Sequence, residues 1–83
     1  MIKESNIIEV EVLNVIAVTL GLPAYRVSSS VDLIEGLGIS LVQFNYLIWS
    51  LENNFKISFP SDASAYNTSL RLIEYVVQRQ NDK

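Results

Sequence analysis

The chain has 83 residues, is 49% hydrophobic and 18% charged, and carries a net charge of −3, which are the proportions of a folded globule and not of a disordered segment. It has neither cysteine nor histidine, which excludes disulfides, thiolate chemistry and cysteine-type zinc sites, and removes the commonest general base and metal ligand. Lys3, Arg26, Lys56, Arg71, Arg79 and Lys83 are scattered, so no basic run points to nucleic acid. No apolar run approaches the roughly 18 residues needed to span a bilayer. Met1 to Asn6 lacks the basic-then-apolar order of a signal peptide. These features predict one soluble, cytoplasmic domain over residues 1–83, near the lower size limit for a self-sufficient core. An enzyme of this composition would have to work with carboxylates, hydroxyls and a few lysines.

The first segment, Ile7 to Leu20, places Ile8, Val12, Val15, Ile16 and Thr19 at helical spacing. Its β-branched residues and the alternation Glu9-Val10-Glu11-Val12 also fit a strand. Length favours a helix, and Gly21 followed by Pro23 reads as its stop. A long loop is expected from Leu22 to Ile39, with the run Ser28-Ser29-Ser30 and a short apolar piece from Val31 to Leu37. Asp32 and Glu35 suit a capped turn before Gly36 better than a general acid/base pair.

Ser40 followed by Gln43 matches a capping box, with Ile39 and Phe44 at the staple positions around it. The spacing predicts a helix from Leu41 to about Asn54 that buries Leu47, Ile48 and Leu51, with Phe55 continuing the stripe. Pro60 opens a connector through Ser61, Asp62 and Ala63 with room for one short helical turn. Thr68 or Ser69 then caps a last helix carrying Leu70, Ile73, Val76 and Val77, and the polar tail Gln78 to Lys83 is expected to fray. Asn67-Thr68-Ser69 is formally a glycosylation acceptor, but a helix cap explains it better. The expected fold is all-α: three longer helices and one short helix.

In this order the chain resembles the acyl carrier and peptidyl carrier proteins. Leu20-Gly21-Leu22, followed by Val27, is similar to the end of that family's first helix, and Leu37-Gly38 to the Leu-Gly before its modification site. Leu51-Glu52-Asn53-Asn54-Phe55 resembles Leu-Glu-x-x-Phe, Ile57-Ser58-Phe59-Pro60 resembles the following Ile-x-Ile-Pro, and Thr68-Ser69-Leu70 resembles the opening of the last helix. These pieces keep one ungapped register from Leu20 to Ser69. Beyond it, the interval from Leu70 to Tyr75 is one residue shorter than the family's. The resemblance implies an acyl-carrier-protein-like four-helix bundle.

The same register implies a loss. Against the family's Leu-Gly-x-Asp-Ser-Leu, this chain reads Leu37-Gly38-Ile39-Ser40-Leu41-Val42. Leu41 stands where the family's serine carries phosphopantetheine, and leucine has no oxygen to bear a phosphodiester. Placing Ser40 at the attachment point instead requires an insertion inside the next helix, which would rotate later side chains by about 100° and displace Leu47 and Leu51. Ser40 therefore reads as an N-cap, and as a carrier serine only under an alternative reading. Phe44 resembles a usually small residue beside the family's acyl cleft between helices two and three, so its bulk would plug that cleft.

The family's second helix meets partner enzymes through carboxylates. Here Glu52 is the single acid between Ser40 and Phe55, so steering toward basic partners is weakened. Val42, Tyr46 and Trp49 instead form an i, i+4, i+7 stripe. Such a stripe serves equally well as core, but Leu47, Ile48 and Leu51 already supply an inward face. Leu41, Val42, Tyr46 and Trp49 are thus the candidate partner-binding residues. The expectation is a non-enzymatic, carrier-like module with no phosphopantetheine, no other cofactor and no metal. Its partner would be a fatty-acid, polyketide or nonribosomal-peptide-type enzyme, a genuine carrier protein, or a second copy through helix two. The alternatives are a working carrier modified on Ser40 and a non-covalent binder of a small apolar ligand.

Overall fold

The computed structural model describes residues 5–61 and 63–81. Its described residues form three α-helices, α1 (Ser5–Leu20), α2 (Leu41–Phe55) and α3 (Ser69–Asn81), with 3-10 turns at Ala24–Arg26 and Ala63–Ala65. The fold is all-helical. The radius of gyration is 11.8 Å, matching the value of about 12 Å for a close-packed chain of this length. Of the expected short fourth helix, the described residues contain only the turn Ala63–Ala65. Asp62 of that connector, and Asp82 and Lys83 of the tail, lie outside the described residues.

Helix α1 settles the ambiguity between helix and strand, because Ile8, Val12 and Ile16 recur at four-residue intervals and are all completely buried. Val15 and Thr19, expected on the same face, are only half-buried. The helix ends in a Schellman motif: Gly21 N–H donates to Val18 O (3.3 Å) and Leu22 N–H to Ala17 O (2.9 Å). Gly21 has φ +68°, with open space where a Cβ would stand, so its glycine is required by backbone conformation and not by crowding. Helix α1 packs against both α2 and α3 and forms the shared wall of the core.

Helix α2 begins with the expected capping box: Gln43 N–H donates to Ser40 Oγ (3.2 Å) and Ser40 N–H to Gln43 Oε1 (2.9 Å). Ile39 and Phe44, the two staple positions, are both buried. Phe44, Leu47, Ile48, Leu51 and Phe55 face the core. The helix runs past Asn54 to Phe55 and stops at Lys56, whose φ of 56° is left-handed. The two asparagines do not break it, because each amide folds back onto the carbonyl four residues earlier, Asn53 onto Trp49 and Asn54 onto Ser50.

The segment 22–39 has almost no regular structure, and its backbone groups are satisfied by local turns and by bonds to the start of α3. Asp32 Oδ1 accepts from the N–H groups of Ile34 (3.0 Å) and Glu35 (2.8 Å), and Leu37 N–H donates to Asp32 O (3.0 Å). This is the capped turn the sequence predicts. A Cβ on Gly36 would lie 2.5 Å from Asp32 O, so only glycine fits there. The turn seats Leu33 in the core, completely buried.

The loop is then tied to the start of α3. Thr68 is the N-cap, with its Oγ1 accepting from Arg71 N–H (3.2 Å). Ser69 is completely buried. Its hydroxyl donates to Ser28 O (2.8 Å) and accepts from Val31 N–H (2.9 Å), while its own N–H donates to Val31 O (3.0 Å). Asp32 and Thr68 form an antiparallel bridge, and Leu33 N–H donates to Asn67 O (2.9 Å). With Ser69 fixed inward, the buried stripe of α3 is Ser69, Leu72, Ile73 and Val76. The expected Leu70 is instead exposed and Val77 half-buried. The tail is helical to Asn81, and Gln80 Nε2 donates to Phe55 O (2.7 Å).

Removing the Ser69 hydroxyl leaves the Ser28 carbonyl and the Val31 N–H, both part-buried, without their partner. Ser69→Ala should therefore lower unfolding free energy by about 1–3 kcal/mol in urea titrations, with native helix content retained by circular dichroism.

Candidate functional site

The capping box fixes where α2 starts and so which side chains leave the core. Ser40 is exposed and its oxygen accepts from Gln43 N–H. Leu41 opens the helix beside it, and with Phe44 and Leu47 turned inward, Leu41, Val42, Tyr46 and Trp49 emerge on the outside, between 56 and 78% exposed. The stripe Val42, Tyr46 and Trp49 is surface and not core. The rings of Tyr46 and Trp49 lie 5.8 Å apart at 16°, an offset stack that holds both large side chains against the helix.

The surface continues onto α1. An open groove of about 440 Å³ is lined by Asn14, Val15, Val18 and Thr19 of α1 and by Tyr46, Ser50 and Asn54 of α2. Val18 is 81% exposed. The groove lies between α1 and α2, whereas the resemblance places an acyl cleft between the second and third helices. Phe44, expected to plug that cleft, is buried in the core. Sequence reasoning did not single out Val18. The available signal was that α1 is apolar around much of its circumference: Ile7, Val10 and Val18 are exposed opposite the buried Ile8, Val12 and Ile16.

Electrostatically the face is bare. No charged residue occurs from Asn14 to Thr19 or from Ser40 to Leu51. Glu52, the single acid of α2, is partly buried and accepts Phe59 N–H at its Oε2 (2.8 Å). It fixes the connector after α2, where Phe59 stacks on Tyr75 at 4.4 Å, Tyr66 meets both rings edge-on, and the Tyr75 hydroxyl donates to Ser58 O. Glu52 thus serves the scaffold, a role the sequence alone did not disclose.

Elsewhere, Asp32 and Glu35 belong to the turn described above. Among the described residues, no group of three or more acidic side chains gathers as a metal site, and no helix is long and apolar enough to cross a membrane. No protein-family model matches the chain, and no curated protein sequence matches it.

The division between face and core is measurable. Val42→Ser should change stability by no more than about 0.5 kcal/mol, whereas Phe44→Ala should cost about 3–5 kcal/mol, both read from chemical denaturation. Glu52→Ala, which strands Phe59 N–H, should cost about 1–3 kcal/mol.

Proposed function

We propose that this chain is a non-enzymatic, carrier-protein-like module that bears no phosphopantetheine arm and acts through protein contacts. On this reading α1, α2 and α3 correspond to the three long helices of the acyl-carrier-protein-like four-helix bundle, and the turn Ala63–Ala65 to its short one. The observation that carries the proposal is Leu41. It stands at the family's attachment position, at the start of α2, with an exposed hydrocarbon side chain in place of a hydroxyl. The neighbouring hydroxyl of Ser40 is engaged in capping the helix, which supports reading it as structural.

The exposed Leu41, Val42, Tyr46 and Trp49 supply the second part of the reading. Tyr and Trp are the residue types that most often anchor protein interfaces, and an uncharged face selects a partner by shape and apolar contact more than by steering. The partners that fit this reading are a biosynthetic enzyme of the fatty-acid, polyketide or nonribosomal-peptide kind, a genuine carrier protein, or a second copy of the chain through α2.

Incubation with coenzyme A and a broad-specificity phosphopantetheinyl transferase should leave the intact mass unchanged. A mass gain of one phosphopantetheine that disappears in Ser40→Ala would establish the chain as a working carrier and overturn the proposal.

A further inference from the structure

We infer that the face formed by Val18 of α1 and Leu41, Val42, Tyr46 and Trp49 of α2 is covered by a second copy of this chain. The inference rests on the reading of this face as a docking surface and assigns its occupant. Each of the five side chains is more than half exposed. The groove shared by Val18 and Tyr46 joins the two helices, and the Tyr46–Trp49 stack extends the surface across α2.

Area and charge both favour self-association. With two aromatic and three smaller aliphatic residues, and about 150–250 Å² for a whole aromatic side chain, the five offer at most on the order of 600 Å² of surface per copy. Two copies meeting face to face would then bury at most about 1,200 Å², the lower edge of the range for specific, stable interfaces. A two-fold interface juxtaposes one patch with itself, so any net charge within the patch would repel its own image. This patch has none: its helix segments carry no ionisable charge from Asn14 to Thr19 or from Ser40 to Leu51. The nearest acid on α1, Glu11, lies one turn before the groove residues Asn14 and Val15. Asn14 lines the groove and Asn45 lies on α2 one turn from both Leu41 and Trp49; with Gln43 they are uncharged, exposed side chains that can hydrogen-bond across the interface.

Sedimentation velocity of the full chain over a concentration series tests this directly. The mass should rise from one chain to two with a midpoint on the order of 10–100 µM, as expected for an interface of minimal area. Emission from Trp49, the single tryptophan, should shift to the blue over the same range. Val42→Lys and Val18→Lys, both at exposed positions, should each weaken association at least about tenfold. Leu70→Lys on α3 should leave it unchanged. A chain that remains monomeric to about 1 mM, or a dimer indifferent to Val42→Lys and Val18→Lys, would overturn the assignment. The docking reading is judged separately: a monomeric chain whose binding to a carrier enzyme is lost in Trp49→Ala keeps the docking surface and loses only the second copy.

Discussion

One buried hydroxyl, that of Ser69, ties the long loop to the core. The segment 22–39 satisfies part of its backbone by its own turns, and the groups at Ser28 and Val31 need a partner from outside it. Ser69 is that partner, because its side chain and its amide bind Ser28 and Val31 from inside the protein. Asp32 organises the loop's own turn, and the bridge to Thr68 holds that turn against the head of α3. With the loop anchored, Leu33 enters the core and Ile39 leads into the cap of α2.

Much of this was legible in the sequence where the determinants are local. Gly21 before Pro23 marks a helix end by conformational preference, and the structure places a Schellman motif there. Ser40 with Gln43 specifies a helix start through two reciprocal bonds within four residues. The buried stripe of α2 follows from simple periodicity. Three features were not legible, for one shared reason: they depend on partners distant in the chain. Ser69 looks like any capping serine until Ser28 and Val31 are brought to it. Its burial then rotates the inward face of α3 from Leu70 to Leu72. Glu52 reads as a surface acid until the connector returns Phe59 to it, and Gln80 reads as part of a polar tail until its amide reaches Phe55.

The candidate surface divides along the same line. Val42, Tyr46 and Trp49 were readable as a stripe, and their exposure followed from the inward face already being filled by Leu47, Ile48 and Leu51. Val18 was not readable, since α1 is apolar on several sides and only the packing of α2 and α3 decides which side remains open. The resulting face is apolar, aromatic and uncharged. It is the opposite of an acid-rich recognition helix, and it rewards close contact more than long-range attraction.

The central position of α1 also bears on how the chain acquires its fold. Helix α1 contacts both other helices, so it is a wall shared by the parts of the core that α2 and α3 supply. Leu72, Ile73, Val76 and the anchoring Ser69 all come from the last helix. A nascent chain that has emerged through α2 can pair α1 with α2, yet Val31 and Ser28 still lack their partner and Leu33 has no fixed seat. The core is complete only with α3 in place, because Leu72, Ile73 and Val76 supply part of it. A ribosome-stalled chain ending before Ser69 would expose apolar surface on α1 that the finished protein hides, making synthesis itself the interval of greatest vulnerability to aggregation.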